Sequence, residues 1–479
     1  MLSRKSIFTS ALCCLWLLMV VIPAAAQEEP QAPPEDKPKP AGTSFPGLYP
    51  GDQNDQDTNV MTPDINPLTG VQSFGVGTLE TPHSYWQPGL QWSGSLQSNS
   101  YSANSSSSSW LMNNFFMGSL SLLKVWGRSQ LAINSSTGGF VSSDNTQGSG
   151  YYQQFAAAQT FQFNRLLVQL IDQFAYLPQS SFGFGGGSSL GIPGVGNIGP
   201  SIPGLGNNYV PNQGILTALG PRYSNASVVQ MTYSLTPRGS ITVSGSYGLL
   251  NFIDEGNVSS DVTTATVGYN YALNRSDSVG VFYRFSGFHF SGQPEAYGDH
   301  AFNVAYGKKI TGHLGLQLYG GPDITTTRIV VNGESSTVRF NVGANLAYAF
   351  PRGSVNGGYS HGVSGGSGVF AGSSADQLNF GVSHSLGRIW SGQVNFGYSR
   401  NAPLPVGPQT ISQTFNTWTV GAGAGRALGR NANFSFAYNA TIPDYTQNGC
   451  TGPGCGTSNQ TYHYVTINLQ WHTRPFILP

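Results

Sequence analysis

Past its first thirty residues the chain never gathers the roughly 18 consecutive apolar residues that a membrane helix needs. The richest stretch, Leu166 to Leu177, is broken by Gln169, Asp172 and Gln173. From about residue 88 the chain instead repeats segments of roughly ten residues in which apolar and polar side chains alternate between turn residues. Ser240 to Gly248 sets Ile241, Val243 and Tyr247 against Thr242, Ser244 and Ser246. Trp390 to Tyr398 sets Trp390, Val394, Phe396 and Tyr398 against Ser391, Gln393 and Asn395. The last segment sets Val465, Ile467, Leu469 and Trp471 against Thr466, Asn468 and Gln470. No helical period fits these segments. A soluble sandwich would put charge on its water face, whereas here the polar face is nearly uncharged, as suits the inside of a barrel. Lipid penalises every unpaired backbone group, so a strand-built body that crosses it must close on itself.

Composition agrees. Charged residues are 9% of the 479, against about 25% in ordinary globular proteins. Mean hydropathy is nevertheless slightly negative, at −0.16. Polar uncharged residues and glycine replace the missing charge, as a chain with one apolar and one polar face per strand requires. A formal net charge of zero argues against nucleic acid as a partner.

The N-terminus reads as a secretory signal over residues 1–26. Arg4 and Lys5 precede an apolar run from about Ile7 to Ile22, and Ala24-Ala25-Ala26 offers a cleavage site before Gln27. Cys13 and Cys14 lie within the apolar run without a lipobox. Residues 27–87 are expected to form a Pro-rich linker or N-terminal segment facing the periplasm, and 88–479 the barrel. Cys450 and Cys455, in Cys450-Thr-Gly-Pro-Gly-Cys455, are expected to form a small-loop disulfide. Neither they nor His463 supplies enough ligands for a metal.

Connections alternate between short and long. Short turns fall at Trp126-Gly-Arg-Ser, Phe163-Asn-Arg, Pro237-Arg-Gly-Ser, Leu273-Asn-Arg, Gly307-Lys-Lys, Pro351-Arg-Gly-Ser, Gly387-Arg and Leu428-Gly-Arg. Longer loops lie at about 100–112, 135–148, 178–224, 251–260, 291–298, 322–336, 364–374, 401–412 and 443–461. Nine loops and eight turns predict an all-β, antiparallel, up-and-down transmembrane barrel of about eighteen strands, within a range of about sixteen to twenty, with both termini in the periplasm. Nearly every short turn carries a base, which solvates that rim and can meet anionic headgroups. Outward aromatics such as Tyr233, Tyr247, Tyr348, Trp390, Tyr398, Trp418, Tyr438 and Trp471 cluster at strand ends as an interfacial girdle. The loop at 178–224 repeats Ile-Pro-Gly-Val/Leu-Gly-Asn at 192 and 202; it reads as a pore constriction or as a surface loop.

No motif carries catalysis. Gly194-Val-Gly-Asn-Ile-Gly199 fits the dinucleotide spacing but opens no helix and belongs to no βαβ unit. His361 and His384 share a face with outward apolar residues, which suits an interfacial role better than a catalytic base. The inner wall says more. Asn341, Asn345, Asn379, Gln393, Asn395, Asn433, Asn439, Asn468 and Gln470 fall at inward positions, and Arg284 and Arg339 are the inward charges. Arginine on the lipid face at mid-depth costs about 2–4 kcal/mol, which supports placing both inside. They narrow a pore with mild anion preference, or they pair with loop carboxylates that hold a plug. Asp172, by strict alternation, falls on the lipid side with Val168, Leu170 and Phe174; a bulge or a position above the bilayer would resolve this.

On Asp172-Gln-Phe-Ala-Tyr-Leu-Pro178, Ser246-Tyr-Gly-Leu-Leu-Asn-Phe252 and the repeated strand–turn pattern, the chain resembles a porin-like family of outer-membrane β-barrels without an assigned function, some of them encoded near exopolysaccharide genes. The resemblance implies an outer-membrane location and insertion by the outer-membrane assembly machinery. It carries no catalytic or binding residue across. Substrates of that machinery usually end on an aromatic residue, whereas this chain continues past Trp471 to Arg474-Pro-Phe476-Ile-Leu-Pro479. The signal is then the strand ending at Trp471, or Phe476 with its short tail. The expected function is a passive channel for small neutral polar solutes such as sugars, with no enzymatic activity and no cofactor. A polysaccharide-export barrel and a non-conducting surface barrel are the alternatives.

Overall fold

The computed structural model describes residues 61–62, 73–74, 84–98, 110–143, 149–177, 183–184, 215–216, 222–253, 258–291, 296–329, 333–365, 372–387, 389–404, 413–429, 431–447 and 461–478. The signal segment, most of the linker and long loop, and Cys450 and Cys455 lie outside these residues.

The strands are β1 (Tyr85–Ser98), β2 (Trp110–Trp126), β3 (Ser129–Ser142), β4 (Ser149–Gln162), β5 (Leu166–Leu177), β6 (Arg222–Ser234), β7 (Gly239–Phe252), β8 (Ser260–Ala272) and β9 (Asp277–Phe290). They continue as β10 (Ala296–Lys309), β11 (Leu314–Ile329), β12 (Gly333–Phe350), β13 (Gly353–Ser364), β14 (Ser373–Ser385), β15 (Trp390–Pro403), β16 (Gln413–Ala427), β17 (Ala432–Gln447) and β18 (Tyr462–His472). Each pairs antiparallel with its sequence neighbours, and β18 returns to β1, from Tyr464↔Gln97 to His472↔Gly89. The eighteen-strand barrel expected from the alternating segments is therefore the fold. β5 and β6 flank the long loop, yet pair from Leu177↔Arg222 to Leu166↔Tyr233 without a skipped residue.

Turns of two to four residues join the strands at one end. Gly127 (φ 53°) and Gly429 (φ 95°) supply left-handed backbone there. One expected turn is displaced. Gly307-Lys308-Lys309 belongs to β10, and the reversal comes at 310–313, where Ile310 N–H donates to Leu314 O. Several strands also run further toward the long loops than their turn-like residues suggest. β3 continues through Ser142, and the β11–β12 hairpin occupies most of 322–336.

The seam at the last strand has a kink with a cause. Pro88 on β1 has no N–H to offer, and the partner strand breaks opposite it. Thr473 N–H donates to Pro88 O at 3.0 Å, and Gln87 Nε2 donates to Thr473 O at 2.8 Å. Pairing then resumes at Phe476↔Trp86 and Ile477↔Tyr85, with the two rings stacked at 4.8 Å. Phe476 thus extends the closing seam beyond Trp471.

Outward side chains mark the edges of an apolar band. Four tyrosine hydroxyls reach one diagonal step toward the long-loop end: Tyr283 to His300 Nδ1 (2.7 Å), Tyr359 to Asp376 Oδ1 (2.9 Å), Tyr398 to Asn416 Oδ1 (3.3 Å) and Tyr438 to His463 Nδ1 (2.8 Å). Tyr306 reaches the opposite way, to Asp277. An amphipathic ring at an interface keeps its body in the apolar layer and its hydroxyl on the wet side. The opposed directions therefore locate both edges.

Asp172 keeps strict alternation with no bulge. It lies on the outward face, two rows from the Tyr176↔Tyr223 pair, so the expected bulge is absent. Its carboxylate is held across the strand: Ser227 Oγ donates to it at 2.5 Å and Asn225 Nδ2 at 3.4 Å. Phe476→Ala, which removes the stack at the seam, is expected to lower the temperature at which the folded barrel loses its fast gel migration. An unchanged temperature would show that Phe476 contributes nothing to closure.

Candidate functional site: the inner wall

All eleven residues predicted to line the wall stand on the inward face, but they do not form one surface. Asn345 and Asn379 are exposed; Gln393, Asn433, Asn439, Gln470 and Arg339 are half-buried; Asn341, Asn395, Asn468 and Arg284 are buried. The exposed ones lie toward the short-turn half of β12–β14, together with Asn356.

These amides are arranged over glycines. One cross-strand row runs Asn356–Gly381–Asn395–Gly421–Asn439 over five consecutive strands, β13 to β17. The next row runs Asn345–Gly358–Asn379–Gly397 over β12 to β15. Directly opposed residues in an antiparallel pair share a face and stand close, so a large residue needs a small partner. A Cβ on Gly358 would come within 2.7 Å of Asn379 Oδ1 and 2.9 Å of Asn345 Oδ1; one on Gly381 would come within 2.8 Å of Asn356 Oδ1. With its amide turned to match its neighbours, Asn395 donates to Gly421 O at 3.2 Å and accepts from Gly421 N at 3.3 Å. At Gly421 the missing side chain lets the Asn395 amide lie against the neighbouring backbone. The wall stays polar without projecting far into the lumen.

The wall carries few charges, and they are of both signs. Arg284 Nη2 lies 3.4 Å from Asp299 Oδ2 on the adjacent strand, and Thr325 Oγ1 donates to Asp299 Oδ1 at 3.4 Å. Arg339 stands directly opposite Asp323. Both carboxylates are wholly buried. The expectation that Arg284 and Arg339 were the inward charges is thereby corrected: two aspartates stand on the same wall beside them. Arg284 pairs with a barrel strand rather than with a plug loop. Asp323 escaped notice because Pro322-Asp323 reads as a loop, yet both lie inside β11. Pro322 has no N–H, and the β10–β11 ladder skips there between Ala301↔Asp323 and Val304↔Gly320. Arg222, at the start of β6, is a third buried inward base.

At the long-loop end apolar residues of separate strands meet. Val262, Phe288, Phe290 and Tyr297, inward on β8–β10, form one buried cluster with Val363 at the end of β13 and Leu404 just after β15. β10 and β13 are not sheet neighbours, so the cluster draws separate parts of the rim together. Gly372 (φ 83°) makes this possible: a Cβ there would lie 2.9 Å from Leu404 Cδ1 and 3.4 Å from Tyr297 Cε2. Leu404 N–H donates to Gly372 O at 3.4 Å. Periodicity places these residues on strands but cannot show that they meet.

His361 and His384 both face outward, as expected. His384 lies against Phe350, ring centroids 5.6 Å apart, and His361 Nδ1 is 2.7 Å from Asp376 Oδ1.

No family profile matches the chain, and no curated protein matches it. Solved structures do. The outer membrane protein opdK from Pseudomonas aeruginosa is 10% identical, covering 82% of this chain and 99% of that one at a TM-score of 0.42. OccK2 (OpdF) from the same organism is 8% identical over 82% of this chain and 98% of its own, TM-score 0.42. A BenF-like porin from Pseudomonas fluorescens Pf-5 is 10% identical over 82% and 99%, TM-score 0.42. At that distance no residue's role passes from them to this chain.

Gly358→Val would push Asn345 and Asn379 off the wall. As an overpacking change it is expected to cost about 1–3 kcal/mol, read as a lower unfolding temperature of the detergent-solubilised barrel. Gly245→Val, where an added Cβ meets nothing within 4 Å, is the control. Equal effects would contradict the amide-over-glycine packing.

Proposed function

We propose that this protein is an outer-membrane channel for small, uncharged polar solutes such as sugars. The observation that carries the reading is the inner wall: rows of amides set against glycines, with few charges, facing inward in a closed barrel whose outer face is apolar. Amides and hydroxyls supply donors and acceptors without a net field. They therefore match hydroxylated solutes and select weakly between ions. The short turns, with their bases, face the periplasm and the long loops face outside, which puts both termini in the periplasm.

The apolar cluster around Leu404 and Tyr297 is then the narrowest part of the path, at the outer mouth. It restricts traffic in the resting barrel, because a polar solute passing it gives up hydrogen bonds with no replacement. Liposomes carrying the protein are expected to swell in isotonic pentose or hexose, and planar bilayers to show small conductance with little preference between cation and anion. Leu404→Ala is expected to raise the swelling rate several-fold. No swelling and no conductance in both the wild type and Leu404→Ala would sink the channel reading. A strong ion preference would contradict selection by an amide wall.

A further inference from the structure

We propose that the outward face of β13–β15, just beyond the apolar band at its long-loop edge, binds a phosphate carried by a membrane lipid. The proposal rests on the membrane reading above and adds a specific lipid site to it. Two successive outward rows carry it. The inner row is Tyr359–Leu378–Tyr398–Trp418–Ile442, aromatic and aliphatic, with the Tyr359 and Tyr398 hydroxyls turned toward the long-loop end. The row beyond it is His361–Asp376–Arg400–Asn416–Asp444, polar at every position. A change from wholly apolar to wholly polar within one row marks the depth at which headgroups begin.

The groups in that outer row are not equivalent. The Asp376 carboxylate is already engaged, accepting from Tyr359 Oη at 2.9 Å and lying 2.7 Å from His361 Nδ1. The contact through Nδ1 fixes the ring and leaves Nε2 on its far side. Arg400 stands directly opposite Asp376 and is exposed. Among the described side chains, Arg400 is the one lysine or arginine on the outward face beyond the tyrosine row. Arg222, Arg284 and Arg339 face inward, and the other bases whose side chains are described gather at or near the short-turn end. A fork-shaped guanidinium beside an imidazole suits a phosphate, which it can grip with two parallel hydrogen bonds. Asp444, at the far end of the row, repels an anion, so the footprint is confined to His361 and Arg400. Both project from the outer wall at the band edge, where a lipid-borne phosphate sits and a solute in the lumen does not.

Native mass spectrometry of the full-length, detergent-solubilised barrel tests this with three probes: bisphosphorylated lipid A, the same glycolipid with its phosphates removed, and inorganic phosphate. The expected result is a bound adduct with the phosphorylated lipid alone. Its occupancy should fall about tenfold in Arg400→Ala, the size of one charge-assisted contact, and less in Arg400→Lys and His361→Gln. Retained heat-modifiable migration shows that each variant is folded; a variant that fails this check is replaced by Arg400→Gln. Equal binding of the dephosphorylated lipid overturns the proposal, as does full binding by Arg400→Ala. Capture of inorganic phosphate at equal occupancy overturns its lipid-borne form. Flotation with vesicles separates the two claims: a barrel that floats but binds lipid without regard to phosphate fails only here. One that does not float fails the membrane reading itself.

Discussion

Everything in this molecule depends on the closing of one hydrogen-bonded ladder. Eighteen antiparallel strands leave no edge, because β18 returns to β1 and β5 meets β6 across the longest loop. An open edge in lipid would leave a row of N–H and C=O groups with no partner at several kcal/mol each. Closure also creates the two faces. With a period of two, each strand sends alternate residues inward and outward, and a slip of one residue would exchange the amide wall for the apolar band. Of the two places where proline interrupts pairing, Pro322 keeps the register on either side, while at Pro88 one extra residue of the partner strand is accommodated just beyond the last long strand.

That dependence explains what was legible in the sequence. Alternation survives without tertiary information, so the strand number, the outward aromatics and the inward amides could be read from spacing alone. Contacts between strands could not. Asp172 looked anomalous because its partners, Asn225 and Ser227, lie 53 and 55 residues away across the long loop. Asp323 hid behind Pro322. The glycine-over-amide rows were invisible for a related reason. A glycine in a strand looks like a weakness until the register shows which side chain covers it. The Leu404–Tyr297 cluster joins strands that neither touch in sequence nor pair in the sheet, and no local pattern encodes it.

The two faces divide the physical labour. Inside, amides set over glycines give a polar surface with few charges, where Arg284 pairs with Asp299 and Arg339 stands opposite Asp323. A buried pair of this kind adds little stability of its own. Outside, tyrosines hold the band edges, and His361 with Arg400 breaks the uniformity of the long-loop rim. The path for solute and the contact with lipid are thus specified by alternate residues of the same strands.

The central claim is that β15 crosses a membrane with its odd-numbered residues in a polar lumen and its even-numbered residues in lipid. Spin labels placed one at a time from 391 to 399 in the reconstituted barrel measure this directly, through their collision rates with dissolved oxygen and with a water-soluble nickel chelate. Labels at 394 and 396 should favour oxygen and labels at 393, 395 and 397 the chelate, alternating with a period of two. Collision rates that vary smoothly along the segment, or chelate access at 394 and 396, would contradict the account.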